Sequence, residues 1–279
     1  MKLGINLWTV YGWEPPEPVT DEVLQALADM GSQGVELVVD EANNPAEMWL
    51  ERQGALSALL NKLELEVPSV ATALFWRYNL ASQDEALRER GLETVRAGCR
   101  VAQAFGAGVF LVVAGVQEPH TEYERLYETA LASLRAAGDY AADHGVVVGV
   151  ENVPSNFLCS PGEYARFIAD VDHPAVQAYL DFGNGASIGR GYPENWISAV
   201  RGNTAMVHAK DHDQGFNAFV PCGQGDLQWD EVFHALREIE YKGYLLVETP
   251  PRGGRGQPSR AAGLQAAQTS LSWLSRYTS

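Results

Sequence analysis

Four stretches of this chain carry, at or near their ends, a residue able to hold a cation. VVVGVE closes on Glu151, AYLD on Asp181 and YLLVE on Glu248, while MVHAKD presents His208. In each case the polar residue closes or interrupts an apolar run, where a charge is costly to bury unless it is paired or bound to a cation. Three carboxylates and one imidazole form a hard, oxygen-rich donor set with a single nitrogen. That set suits a six-coordinate divalent ion, Mn2+ first and Mg2+ or Co2+ after it, better than closed tetrahedral zinc. Four protein ligands leave two positions for water or for two substrate oxygens, which favours a chelating substrate such as an α-hydroxy ketone. A lone strand-end acid is as well explained by a salt bridge or a cap. Four in succession are not.

The chemistry such a centre supports is proton movement next to a carbonyl. A hydrogen α to a carbonyl is barely acidic, so the enediolate needs stabilising and a base must stand within hydrogen-bond reach. A chelated metal does the first, and Glu151 and Glu248 are the acid/base pair for the second. Return of the proton to the opposite face gives epimerisation; return to the neighbouring carbon gives aldose–ketose isomerisation. Expulsion of a β-leaving group would instead make a lyase or dehydratase of a keto-sugar or keto-acid, the alternative reading.

Around this set, Lys210 and His212 alternate with His208 and would share its face if the strand persists. Lys210 is a candidate contact for substrate oxygens or a phosphate, with a solvated loop charge as the plain alternative; His212 is a weaker one. Asn152 and Asn156 follow the Glu151 strand. Asn152 can position Glu151 or a sugar hydroxyl, whereas Asn156 reads as a turn former. Trp8 and Trp76 can wall a sugar with flat faces. Arg252 and Arg255, in the Gly-rich loop after Glu248, can hold a phosphate, as late loops of barrels do. Glu36, inside an apolar run, can orient His208. His120 reads as a surface-loop residue, and His144, His173 and His234 as structural.

The elements that must position these residues alternate. Strands are predicted at Leu3–Trp8, Gly34–Asp40, Glu66–Ala71, Gly108–Ala114, Val146–Glu151, Val176–Asp181, Met206–Lys210 and Tyr244–Thr249. Helical periodicity fills the intervals: Thr20 to Met30, Ala46–Leu63, Asp84–Phe105, Glu122–His144, Ser160 to Val171, Glu194–Val200, Trp229–Ile239 and Ser259–Arg276. Ser160, Pro161 and Glu163 form a capping box with Pro at the first helical position. Eight strand–helix pairs over 279 residues predict an α/β fold of the (β/α)8 TIM barrel type, one domain over residues 1–279, near the roughly 250 residues usual for it. A Rossmann fold loses its main support, because no GxGxxG follows the first strand.

The formal net charge is −16, which disfavours nucleic acid and anionic membranes as partners. Cys99, Cys159 and Cys222 are odd in number and lack a CxxC pattern, which fits a reducing cytoplasm. No apolar run approaches the roughly 18 residues of a spanning helix. The oligomeric state is left open, a homo-oligomer included.

The sequence resembles the xylose isomerase-like TIM barrels of the sugar phosphate isomerase/epimerase group, nearly end to end. The resemblance is carried by GVENVPSNFLCSPGEYARFI (149–168), YLDFGNGASIGRGYPENWI (179–197), VHAKDHD (207–213), VPCGQGDLQWDEVFHAL (220–236) and YLLVETP (244–250). LFWRYNLASQDEALRERGLETV (74–95) is similar to a subgroup often labelled hexulose-6-phosphate isomerase. The resemblance implies a metal-dependent enzyme acting on a sugar or sugar phosphate, with ligands at Glu151, Asp181, His208 and Glu248. It also exposes a departure. Ketose 3-epimerases of this group carry a substrate-binding His three residues after the metal-binding Asp, where this chain has Asn184, the candidate substrate contact there. Their downstream Arg has no clear match, with Gln214 near the corresponding place.

Overall fold

The computed structural model describes residues 1–249 and 259–278. Its strands and helices are β1 (Lys2–Asn6), α1 (Trp8–Tyr11), α2 (Asp21–Asp29), β2 (Gly34–Val38), α3 (Ala46–Lys62), β3 (Ser69–Ala71), α4 (Glu85–Phe105), β4 (Val109–Val112), α5 (Tyr123–Asp143), β5 (Val147–Glu151), α6 (Pro161–Val171), β6 (Val176–Asp181), α7 (Phe182–Ser187), α8 (Pro193–Ala199), β7 (Thr204–Ala209), β8 (Asp211–Asp213), β9 (Ala218–Val220), α9 (Trp229–Glu238), β10 (Tyr244–Val247) and α10 (Arg260–Thr278). Eight strands close a parallel barrel in the order β1-β10-β7-β6-β5-β4-β3-β2. The predicted (β/α)8 barrel is therefore the fold.

Local chemistry sets the helix starts. Asp84 accepts the Ala86 N–H to open α4, and Gly106 closes that helix at φ 71°. Ser160 accepts the Glu163 N–H ahead of Pro161, while the Glu163 carboxylate takes the Cys159 N–H, so the capping box reaches one residue further back than predicted. Thr20 stands at the N-cap of α2 but makes no side-chain cap bond.

Several predicted boundaries move, β2, β4 and β10 each ending two residues early among them. β1 ends at Asn6 because α1 begins at Trp8. The third strand shrinks from Glu66–Ala71 to Ser69–Ala71: Pro68 has no N–H to give a ladder, and Glu66 keeps a single bridge to Gly34. β7 stops at Ala209, one residue before Lys210. Neither α7 nor the antiparallel pair β8–β9 was predicted.

β4 is buried along its whole length, as expected of a strand covered on both faces. Inside the barrel Gly149 has no side chain where a Cβ would stand 2.8 Å from the Tyr179 ring. That space admits a tyrosine to the barrel interior, just beneath the mouth.

Candidate metal centre

Glu151, Asp181, His208 and Glu248 converge at the C-terminal mouth of the barrel, one ligand atom from each lying within 4.8 Å of the others. All four are buried, from 0 to 7% exposed. Each arrives by strand position. Glu151 and Asp181 are the last residues of β5 and β6, His208 opposes Asp181 in the β6–β7 register, and Glu248 follows β10 with its N–H on the Ala209 carbonyl. A register irregularity between Ala178 and Tyr179 precedes the Asp181–His208 pairing, as bulges beside active sites often re-aim a strand.

Asp181 has a divided role. Its Oδ1 accepts the Asn184 N–H and caps α7, while its Oδ2 is buried 2.8 Å from the Lys210 ammonium. Asn152 fixes the backbone beneath it, accepting the Asp181 N–H at 2.7 Å and donating to its carbonyl at 3.0 Å. The carboxamide thus spends its hydrogen bonds on Asp181 rather than on Glu151.

His208 is oriented from behind. Its Nε2 lies 2.6 Å from Glu36 Oε2 and its Nδ1 3.2 Å from Glu151 Oε1, with Asp181 Oδ2 and Glu248 Oε2 each 3.8 Å from Nδ1. A proton held on Nε2 by Glu36 leaves the Nδ1 lone pair for a metal. Glu36 also accepts from Asn6, Ser69 and Tyr179. Burial alone would raise its carboxyl, but His208, Ser69 and Asn6 outweigh it and hold the group below the usual carboxylate range.

Charge at the mouth is unbalanced toward the acid. Burial pushes Glu248 up to about 8 against the pull of Lys210 and His208, and raises Glu151 as well, chiefly by desolvation. Burial would lower Lys210, but Asp181, Glu248 and Glu151 hold it above the ordinary lysine value. Its Nζ sits 2.8 Å from Asp181 Oδ2 and donates to Glu248, under the Phe219 ring at 4.6 Å. Burial likewise works against a charged His208, yet the surrounding carboxylates raise it well above its usual value. An Asp181 oxygen facing the Lys210 ammonium, a prepared imidazole nitrogen and two glutamates that burial raises above the usual carboxylate range are what a divalent cation would complete. The residues present fit such an ion.

A cavity of about 280 Å³ opens onto this centre, with Glu151, Asn184, Lys210 and Glu248 at its polar end and Trp8, Trp13, Trp76 and Phe219 among its walls. That is the low end of small-molecule sites. Trp8 lies in α1 rather than β1 and lines the cavity with Trp76, which is 47% exposed at the rim. Asn184 also points its amide at Glu151 Oε1, 3.4 Å away. Lys210 turns into the site. His212 does not follow it: its Nε2 meets Asn217 Oδ1 at 3.1 Å in the β8–β9 hairpin. Asn156 has φ 59° and is exposed, a turn former as predicted, and His120 is exposed too. His144 bonds the Tyr140 carbonyl and His173 meets Asp139, while His234 is exposed on α9. Arg252 and Arg255 lie outside the described residues.

Sequence reasoning missed Asn6, Ser69 and Tyr179 around Glu36, and Trp13 and Phe219 in the cavity. A signal existed for Tyr179, which stands two residues before Asp181 and so shares its strand face. Trp13 and Phe219 sit in irregular or hairpin segments and gave none.

The fold and the site together define a (β/α)8 barrel with a candidate divalent-metal centre at its mouth. The chain belongs to the xylose isomerase-like TIM barrel family, whose sequence profile matches residues 24–277. It is 28% identical over 234 residues to the L-ribulose-5-phosphate 3-epimerase UlaE of Escherichia coli strain K12, covering 81% of each chain. A D-psicose 3-epimerase crystallised in the presence of D-fructose superimposes with a TM-score of 0.80 at 18% identity, over 99% of both chains. The IOLI protein with a bound zinc atom does so with a TM-score of 0.79 at 18% identity, again over 99% of both.

Proposed function

We propose that this chain is a divalent-metal-dependent sugar isomerase or epimerase acting on a ketose or ketose phosphate. The observation that carries the proposal is the placing of Glu151 and Glu248 at the polar end of a small cavity, both in reach of the cation site they share with Asp181 and His208. A bound Mn2+, the ion the donor set favours, would stabilise negative charge developing on a substrate carbonyl oxygen. One glutamate takes the proton from the carbon next to the carbonyl and the other returns one to the opposite face. Lys210 and Asn184 donate hydrogen bonds to substrate oxygens, Arg252 is the candidate phosphate contact, and Trp8 and Trp76 cover the sugar's C–H faces. Similarity to an L-ribulose-5-phosphate 3-epimerase and a D-psicose 3-epimerase supports the substrate class. The free thiols of Cys99, Cys159 and Cys222 fit a reducing compartment such as the cytoplasm.

The test is product analysis in deuterated water, with Mn2+ and a panel of ketoses and ketose phosphates. Deuterium should enter at the carbon next to the carbonyl without loss of water. A dehydrated or cleaved product would replace this reading with a lyase. Glu151→Gln and Glu248→Gln should each abolish the exchange, and exchange surviving in both would sink the acid/base assignment.

A further inference from the structure

The β1–β10 ladder ends at the pair Ile5–Val247, one rung short of Glu248. The next rung would set Asn6 against Glu248, with the Thr249 N–H reaching back to β1. It does not form, because the chain leaves β1 at Asn6 and turns into α1. The side chain of Thr9 takes its place. The Thr9 hydroxyl donates to the Val247 carbonyl at 2.9 Å and accepts the Thr249 N–H at 3.0 Å. These groups belong to the two peptide planes that flank Glu248. On the opposite side, the Glu248 N–H is held by the Ala209 carbonyl. Thr9 is fully buried and its own position is fixed by α10, where Gly263 has no side chain and a Cβ would stand 2.6 Å from the Thr9 carbonyl. The carboxamide of Asn152 braces Asp181 in the same manner at the end of β6.

We infer that Thr9 is a positioning residue for Glu248: one hydroxyl, bonded to the backbone on both sides of the ligand, aims its carboxylate at the metal and the substrate. The inference rests on the metal-centre reading above. Groups that orient a ligand typically account for 10–100-fold in metal affinity, so the readout is Mn2+ titrated into the purified chain and followed by calorimetry. Thr9→Val and Thr9→Ala, which remove the hydroxyl, should weaken Mn2+ binding about tenfold or more. Thr9→Ser, which keeps it, should stay within about twofold of wild type on the same scale. Ser133→Ala, which removes another buried hydroxyl bond, to the Leu80 carbonyl, should leave Mn2+ affinity unchanged.

Folded Thr9→Val or Thr9→Ala protein with wild-type affinity would overturn the inference. So would a Thr9→Ser variant that loses as much as about tenfold, which decides the matter even if neither of the other variants folds. Equal weakening by Ser133→Ala would overturn it too, by tracing the loss to general destabilisation. A wild-type chain that binds no Mn2+ would overturn both this inference and the function it rests on, which separates the two failures.

Discussion

Lys210 Nζ lies 2.8 Å from Asp181 Oδ2, an oxygen that a metal would claim. Lys210 therefore acts as the counter-ion of the metal-free site. Removing one member of a buried ion pair typically costs about 3–5 kcal/mol, because the other is left uncompensated. Lys210→Met should destabilise the metal-free protein by about that amount. Saturating Mn2+ supplies the missing charge, so the gap to wild type should narrow when denaturant unfolding is repeated with the ion. A gap of the same size with and without Mn2+ would refute the counter-ion role.

Glu36→Gln tests the orientation of His208. The carboxylate accepts from Asn6, Ser69, Tyr179 and His208, and an amide would turn N–H groups toward these donors. His208 then loses the acceptor that keeps its proton on Nε2. Mn2+ affinity should fall about 10–100-fold, measured by calorimetry on folded protein. An unchanged dissociation constant would show that the imidazole is held by packing against the Tyr179 ring, 4.6 Å away, instead.

The sequence disclosed what strand periodicity can carry. Glu151, Asp181, His208 and Glu248 were legible because each closes or interrupts an apolar run, and Glu36 because a lone acid inside such a run needs a partner. Lys210 was legible only by half, since the alternation that placed it also placed His212, and β7 ends before either. The β8–β9 hairpin was hidden because its strands are three residues each and one of them reads Asp-His-Asp. Thr9 could not be found at all. Its bond to Val247 spans 238 positions, and nothing local marks a threonine that stands in for a missing rung.

Burial gives the metal-free site a pH signature. Glu248 is raised from 4.5 to about 8, so between those values the folded chain keeps a proton that the unfolded chain has released. Its stability contribution is complete below the unfolded value and is lost as pH rises toward about 8. His208, also raised, acts in the same direction. A metal needs the deprotonated ligands, so its binding displaces protons. One proton released per ion makes affinity rise about tenfold, or about 1.4 kcal/mol, per pH unit. The gain in melting temperature at fixed Mn2+ should therefore grow as the buffer is moved from acidic pH toward about 8. A gain independent of pH would mean that the ligands are ionised throughout.

Gly183 makes room for Lys210. A Cβ placed there would stand 2.5 Å from Lys210 Cγ and 3.2 Å from both the Lys210 carbonyl and the Phe219 ring, so Gly183→Ala should force the lysine off Asp181 and Glu248. Alanine is the better helix former by about 1 kcal/mol, which works against that loss. The sign of the net effect therefore reports which is larger, and the strength of the buried ion pair predicts a less stable metal-free protein. Lys210→Ala removes the Cγ in question. In that background Gly183→Ala should be neutral or stabilising, a coupling of about 0.5–3 kcal/mol between the two positions in a double-mutant cycle. Additive effects of the two substitutions would show that Gly183 serves α7 rather than the placement of Lys210.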